Sequence, residues 1–215
     1  MNKELIINVS PSEIAIALFE DKQLVELNKE KCKTGYSVGD IYLGKVKKIM
    51  PGLNAAFVNI GYEKDAFIHY LDLGPQFTSL HKLVGTLTSG KRAPLFQNIR
   101  LDKAMGKNGK ISGFIASGQS ILVQIAKEAI STKGPRLTCD MSLAGRNVVL
   151  IPFSNKVSNS QKIRSAEERK RLKRIASEVL PNNYGVIIRT AAMGQQDEEI
   201  KHDILSLIER WKKVI

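Results

Sequence analysis

A series of short, strand-like segments separated by glycine turns constrains the fold of this chain more than any other feature. Ile41, Leu43, Val46 and Ile49 lie along the first of these segments with Lys45, Lys47 and Lys48 interleaved, and Pro51-Gly52 and Gly61 separate the segments that follow. Short strands joined by Gly-containing turns are typical of small barrels. The sequence therefore predicts a β-barrel, whose strands are expected at residues 41–49, 53–60, 65–68 and 120–126.

Further strands and two helices are predicted on either side of this barrel. Residues 4–27 predict a three-stranded meander, which is too small to be stable by itself. A helix is predicted to begin at Ser165, because Glu168 three residues later completes a capping-box pattern. A last helix is predicted from about Asp197, and strands are expected at residues 137–143, 147–152 and 185–190. The predicted fold class is α+β and rich in β-structure.

Residues 74–117 show little periodicity and predict a long loop. Its later part, the basic segment (residues 88–113), carries six cationic side chains against a single acid, Asp102; these are Lys91, Arg92, Arg100, Lys103, Lys107 and Lys110. Loops of such length are usually either functional or disordered.

The formal net charge of +12 and the pI of about 9.7 favour a polyanionic partner, such as a nucleic acid or an anionic membrane. Residues 1–34 hold five Lys or Arg against six Asp or Glu, so the basic surface belongs to the later chain. No apolar run approaches the roughly 20 residues of a membrane span, and the polar N-terminus predicts no signal peptide. The two cysteines, Cys32 and Cys139, form no disulfide or zinc pattern, which favours a reducing cytoplasm.

Phe57 and Phe67 are the candidate nucleic-acid contacts within the barrel. On antiparallel strands the two rings could lie side by side and stack on unpaired bases, each contributing about 1–3 kcal/mol, while interleaved lysines follow the phosphates. Phenylalanine is more often a core residue, however, so burial of both rings is the alternative interpretation.

Several motifs along the chain resemble those of the ribonuclease E/G family. The resemblance is carried by the barrel residues 44–68 and then, in this order, by Lys127-Glu128, Leu143-Ala144-Gly145 and Arg189-Thr190-Ala191. It covers nearly the whole chain. It implies an OB-fold RNA-binding barrel, inserted in a ribonuclease-H-like subdomain and followed by an α/β segment that senses the 5′ end of RNA.

The resemblance also implies domain boundaries. The first strands of the ribonuclease-H-like subdomain would occupy residues 1–36, the barrel residues 37–127, and the 5′ sensor residues 128–194. Residues 195–215 would form a helix that returns to the ribonuclease-H-like subdomain. That subdomain would continue past residue 215, so we expect it to be incomplete here.

Each matching position receives an implied role. Phe57 and Phe67 would stack on bases, Lys133 would contact the RNA beside them, and Lys127 is a weaker candidate. The 5′-terminal phosphate would be held by Arg189 and Thr190, with the backbone near Val149 in support. A terminal monophosphate carries about −1.5 to −2 charges and three acceptor oxygens, which a guanidinium and an adjacent hydroxyl suit well. The alternative for Arg189 is an ordinary exposed arginine at a strand end.

Seven cationic side chains surround the helix predicted at Ser165: Lys162, Arg164, Arg169, Lys170, Arg171, Lys173 and Arg174. They could contact phosphates without regard to sequence, or form a solvated helix face in which Glu167 pairs with Arg171. The family tends to show arginines near positions 161 and 162, where this chain has Gln161 and Lys162. The resemblance therefore does not support a bidentate arginine–phosphate contact at those positions.

Family members cleave RNA with metal-bound carboxylates in a later domain and join subunits through zinc-binding cysteines. This sequence holds neither a suitably spaced acidic pair nor a C-x-x-C motif. We therefore expect no cofactor in this chain and no cleavage by it alone, while magnesium, zinc and homo-oligomerisation are implied for the full-length parent. The expected partner is single-stranded RNA, preferably with a 5′ monophosphate. The rival hypotheses are a stand-alone ribosome- or translation-associated RNA-binding protein and a general polyanion binder.

Overall fold

The first unit of the chain, residues 1–37, is a three-stranded antiparallel sheet. The structure, a computed structural model, describes residues 2–31 and 35–215. The strands are β1 (Lys3–Val9), β2 (Glu13–Glu20) and β3 (Gln23–Lys31), in that order across the sheet. Positive φ angles at Asp21 and Lys22 (46° and 69°) form the tight turn between β2 and β3. The predicted meander is confirmed. Cys32 lies outside the described residues.

The second unit, residues 38–215, begins with a closed five-stranded barrel. Its strands are β4 (Ile41–Met50), β5 (Ala55–Asn59), β6 (Ala66–His69), β7 (Ser120–Lys127) and β8 (Arg136–Thr138), which close in the order β4-β5-β6-β8-β7. Alternate residues such as Val58, Ile68 and Val123 are fully buried and fill the interior. The predicted barrel is confirmed, and its architecture is consistent with an OB-type fold.

The barrel extends beyond the boundary that the sequence predicted at residue 127. Its fifth strand is β8, which lies among residues assigned to the 5′ sensor, and it pairs with both β6 and β7. Three residues that follow Pro135 are too few to show strand alternation, so only the pairing identifies them as barrel. The strand predicted over residues 137–143 is correspondingly divided between β8 and β9 (Leu143–Ala144).

The prediction of an unbroken loop over residues 74–117 is wrong, because α1 (Phe77–Thr88) lies within it. Phe77, Leu80 and Val84 are buried along one face of this helix, which packs against β7. Gly85 and three threonines within α1 have low helix propensity, so the local sequence does not favour a helix. Tertiary packing stabilises a helix here that local propensity does not favour.

A second sheet with two helices follows the barrel. Its strands are β9, β10 (Val148–Pro152), β11 (Val157–Asn159) and β12 (Tyr184–Ile188), in the order β11-β12-β10-β9. Helix α2 (Ala166–Val179) contacts β11, and α3 (Asp197–Val214) contacts β10 and α2. The predicted apolar face of α3 is buried at Ile200, Ile204, Leu207, Ile208 and Trp211. The short strand β11 was not predicted.

The N-terminus of α2 confirms one half of the predicted capping box. The Ser165 hydroxyl accepts a hydrogen bond from the backbone N–H of Glu168 at 3.2 Å. The Glu168 carboxylate instead binds the Arg171 guanidinium at 2.8 and 2.9 Å and accepts from the backbone N–H of Gly194. Arg171 therefore pairs with Glu168 rather than with the predicted Glu167, and it also reaches Asp197 on α3. These contacts tie the start of α2 to the start of α3.

This network predicts a pH-dependent contribution to stability from Glu168. Its hydrogen bonds from Arg171, foremost, and from the Gly194 N–H lower its pKa from 4.5 to about 2. A lowered folded-state pKa stabilises the fold above pH 4.5, and that contribution is lost as the pH falls toward 2. We expect Glu168→Gln to lower the free energy of unfolding by about 1 kcal/mol at neutral pH, since the pair is partly exposed to solvent.

Urea unfolding of both proteins at several pH values measures this difference. The difference in free energy of unfolding between the two proteins should shrink as the pH falls. A difference that stays constant across the pH range would contradict a stabilising role of the ionised Glu168. Glu167→Gln is the matched control, because Glu167 is an exposed carboxylate on the same helix turn. Its effect should be near zero at every pH.

Candidate nucleic-acid interface

Phe57 and Phe67 lie side by side on the outer surface of the barrel. They are directly paired between β5 and β6, and their ring centroids are 6.1 Å apart with an interplanar angle of 70°. Their strand neighbours Ala56, Val58 and Ile68 are fully buried, whereas both rings are half-buried. Because successive residues of a strand point to opposite faces, the rings point away from the barrel interior. They are available to stack on a ligand.

Cationic side chains flank this aromatic pair in strand register. Lys48 on β4 is paired with Phe57, and Arg136 on β8 is paired with Phe67. Lys127 on β7 is in turn paired with Arg136, one strand further round the barrel. Directly paired residues project from the same face of a sheet. The five residues therefore form a belt, with the two rings in its middle and positive charge on both sides.

Arg136 is a further candidate at this site that the sequence did not predict. Its Nε and Nη2 donate to the two carboxylate oxygens of Asp72 at 3.0 and 2.9 Å, and this contact raises the pKa of the guanidinium. The side chain is still 47% exposed, so it is held in position without being removed from solvent. Nothing in the local sequence distinguishes Arg136 from other surface arginines, because its place beside Phe67 depends on a parallel pairing distant in sequence.

Lys133 is exposed at the tip of a turn that packs against the barrel. The backbone groups of Ile130 and Lys133 bond to each other, and the turn contains Ser131 at φ 51°. A side chain at Gly134 would bring its Cβ to 2.2 Å from the Asp65 carbonyl oxygen, so glycine permits this close approach. Two residues after Lys133, the Pro135 carbonyl accepts from the Phe67 N–H at 2.8 Å. The turn is thereby anchored beside the aromatic pair.

Arg189 and Thr190 occupy a second location, at the end of β12. The Arg189 backbone N–H donates to the Asn147 carbonyl at 2.8 Å, and its Nη1 donates to the Gly145 carbonyl at 2.6 Å. Within residues 2–31 and 35–215 the guanidinium has no acidic partner and is exposed, so its charge is open to a ligand. Thr190 begins a short 3-10 turn directly after it.

A side chain of α3, Asp203, holds the loop that positions Arg189. Asp203 accepts hydrogen bonds from the backbone N–H groups of Asn147 and Val148 at 2.7 and 3.2 Å. A Cβ at Gly145 would lie 2.6 Å from the Asp203 carboxylate, so only glycine fits there without rearrangement. Val149 lies on the adjacent β10, paired with both Ala144 and Ile187. The structure therefore brings Arg189 and Thr190 to the end of the central strand β12, two residues beyond the partner of Val149 on the neighbouring central strand β10, and away from the barrel belt.

Some of the cationic side chains around α2 form ion pairs or hydrogen bonds within the chain. Arg171 pairs with Glu168 and Asp197, and Arg174 pairs with Glu178 and Asp197. Arg169 donates to the Ile163 carbonyl. The contacts of Arg171 and Arg174 favour a structural role for these two residues, whereas Lys162, Arg164, Lys170 and Lys173 are exposed.

The described residues do not fit the metals implied for the parent enzyme. Residues 2–31 and 35–215 contain no group of three or more His, Cys, Asp or Glu that could hold a metal ion. Cys139 is fully buried, and this burial raises the pKa of its thiol, which disfavours the thiolate that zinc requires. No chemical step through magnesium or zinc is therefore assigned to these residues. In the part of the chain that the structure describes, no helix is both long enough and apolar enough to cross a membrane.

Comparison with known proteins relates the chain to RNA-cleaving enzymes. A sequence model described as the ribonuclease E/G family matches residues 142–215. The chain is 37% identical over 212 residues to ribonuclease G of Haemophilus influenzae and 36% identical over 215 residues to ribonuclease G of Escherichia coli K12, covering 99% and 100% of this chain. It is 38% identical over 216 residues to ribonuclease E of a Nostoc species. The chain spans 40% of the length of these ribonuclease G proteins and 27% of that ribonuclease E.

Proposed function

Because this chain belongs to the ribonuclease E/G family and so has a ribonuclease-related role, we propose that it binds single-stranded RNA and recognises a 5′-monophosphate end. The main support for this proposal is the outward-facing Phe57–Phe67 pair. Two adjacent rings can stack on unpaired bases, and cations on both sides can bind the phosphates of the same strand. A duplex keeps its bases stacked on one another, whereas a single strand can stack them on protein rings. Family membership does not favour a stand-alone translation factor.

The barrel belt supports binding that is tolerant of sequence. Every base has a π-face, so Phe57 and Phe67 would stack on successive bases whatever their identity. Lys48 and Lys127 would meet the phosphates on either side of the rings, with Lys133 at the anchored turn. Arg136, whose charge is balanced by Asp72, would offer only its remaining N–H donors. The phosphate contacts make affinity fall as salt rises.

The second location supports recognition of the 5′ end. Arg189 uses one Nη for the Gly145 carbonyl, which orients the guanidinium and leaves other N–H donors for phosphate oxygens. The Thr190 hydroxyl next to it would supply a further donor, and the backbone near Val149 would lie at the same end of the two central strands. A 5′ hydroxyl offers neither the charge nor the three acceptor oxygens of a monophosphate.

We further propose that the chain presents RNA to hydrolytic residues elsewhere in a longer parent protein, in the cytoplasm. In this arrangement residues 1–36 and 195–215 would belong to a ribonuclease-H-like subdomain, and the parent would be a homo-oligomer that uses magnesium and zinc. The described residues would select and hold the strand. They would not cut it.

Direct binding measurements test this function. We expect the chain to bind a 3′-labelled single-stranded RNA more tightly than the corresponding duplex. We also expect it to bind the 5′-monophosphate form roughly tenfold more tightly than the 5′-hydroxyl form. Tenfold corresponds to one hydrogen bond to a charged group, about 1.5 kcal/mol. Fluorescence anisotropy at fixed salt measures both comparisons. Equal affinity for single strand and duplex would contradict the barrel assignment, and equal affinity for the two 5′ ends would contradict the sensor assignment.

A further inference from the structure

The basic segment (residues 88–113) is anchored to the folded chain at two separate places. Near its start, Phe96 is buried among Phe153, Tyr184 and Trp211, with ring centroids 4.8 to 5.7 Å away. The buried Asn183 side chain donates to the carbonyls of Phe96 and Ile99 at 2.9 and 2.8 Å. This first anchor joins the segment to the second sheet and α3.

The second anchor joins the segment to the barrel. The Asn54 side chain donates to the Gly109 carbonyl at 2.9 Å and accepts from the Ile111 N–H at 2.7 Å. The Tyr70 hydroxyl donates to the Gly106 carbonyl at 2.6 Å, and Gly109 lies so close to the Tyr70 ring that a Cβ there would overlap it. Residues 106–111 are therefore held in one conformation against the barrel rather than left as a free loop.

The cations of this segment are exposed and have no acidic partners in the segment. Lys91, Arg92, Arg100, Lys103, Lys107 and Lys110 all lie at the surface. Asp102, the one acid, is already paired with Lys82 of α1. Exposed like charges on a fixed backbone repel one another, so they are expected to favour a polyanion.

The second anchor lies next to the aromatic pair. Asn54 is three residues before Phe57, and Tyr70 is three residues after Phe67, so the backbone at the anchor is roughly 10 Å along the strands from the backbone that carries the rings, at about 3.3 Å per residue. On the opposite side of the rings, the Lys133 turn packs on Asp65. The aromatic pair thus lies between two basic elements, the Lys133 turn at one end of the strands and Lys107 and Lys110 at the other.

We propose that Lys107 and Lys110 form a second phosphate-binding surface that extends the path of a single-stranded RNA beyond the barrel. This inference rests on the proposed RNA-binding function of the barrel. An RNA long enough to pass the Asn54–Tyr70 end contacts these lysines, whereas a short RNA held on the rings does not reach them. The segment contributes affinity and salt dependence without reading sequence.

The test compares two RNAs and two variants of the whole chain. The RNAs are single strands of about 4 and about 16 nucleotides, the limits of the site sizes of OB folds. The test variant is Lys107→Gln with Lys110→Gln. The control variant is Lys22→Gln with Lys213→Gln, which removes the same net charge from two exposed lysines outside the segment. Circular dichroism confirms that both variants are folded.

On the longer RNA we expect the test variant to reduce the slope of log affinity against log salt by about 1.4, since each phosphate contact with a single strand contributes about 0.7. The shorter RNA should bind both variants like the unsubstituted chain. An unchanged slope on the longer RNA, an equal loss in the control variant, or an equal loss on the shorter RNA would each overturn the inference and leave the barrel function intact. Failure of the unsubstituted chain to bind either RNA would overturn the proposed function and this inference together.

Discussion

Replacing Phe57 and Phe67 together by alanine is expected to remove most of the affinity of this chain for single-stranded RNA. Each ring that stacks on a base contributes about 1–3 kcal/mol, which corresponds to roughly 5- to 150-fold in affinity. The two rings project outward and touch each other at 6.1 Å between centroids, so the double variant removes the whole stacking surface. Anisotropy with a short 5′-phosphorylated single strand measures the loss.

The conservative variant Phe57→Tyr distinguishes stacking from a merely structural role. A tyrosine ring stacks as well as phenylalanine and its hydroxyl can reach solvent from this half-buried position, so binding should be retained. Circular dichroism and thermal unfolding show whether the double alanine variant is folded. If it is folded and binds the single strand as tightly as the original chain, the rings have no part in RNA recognition.

Replacing Arg189 by alanine is expected to abolish discrimination between 5′-phosphorylated and 5′-hydroxyl RNA. One hydrogen bond to a charged group contributes about 1.5 kcal/mol, so affinity for the phosphorylated RNA should fall roughly tenfold, to that of the hydroxyl form. Affinity for the hydroxyl form should stay nearly constant, because the exposed guanidinium binds only the Gly145 carbonyl within the described residues. The ratio of the two dissociation constants is the quantity to measure.

Two further variants make this ratio informative. Arg189→Lys keeps the charge but loses the planar fork, so an intermediate preference is expected. Arg164→Ala removes an exposed arginine near α2, and any phosphate contact that it makes along the strand affects both RNAs equally. A preference that survives Arg189→Ala, or that disappears equally with Arg164→Ala, would assign 5′-end recognition to other residues.

The barrel and the second sheet were predictable because their signals are local. Short apolar segments separated by Pro51-Gly52 and Gly61 mark β4 to β6 without knowledge of any partner strand. The apolar stripe from Ile200 to Trp211 marks α3 in the same way. By contrast, α1 was missed, since its threonines and Gly85 disfavour a helix and only packing against β7 stabilises it.

The candidate site divides along the same line. The sequence by itself predicted Phe57, Phe67, Arg189 and Thr190 as candidates, because they stand in short motifs that resemble those of the family in their order along the chain. Whether the two phenylalanines point inward or outward was open, since alternation separates two faces but does not say which face is enclosed. Closure of the barrel decided this, by burying Ala56, Val58 and Ile68 inside.

Tertiary structure alone also decided which charged residues lie beside the rings and which are paired with acidic residues in other parts of the fold. Arg136 lies beside Phe67 through a pairing between residues 69 positions apart, and Arg171 is engaged by Asp197 from another helix. The basic segment looked like a free loop in sequence, yet Asn54 and Asn183 anchor it. A one-dimensional pattern reports how a residue relates to its neighbours in the chain, whereas charge neutralisation and anchoring depend on residues that only the folded chain brings into contact.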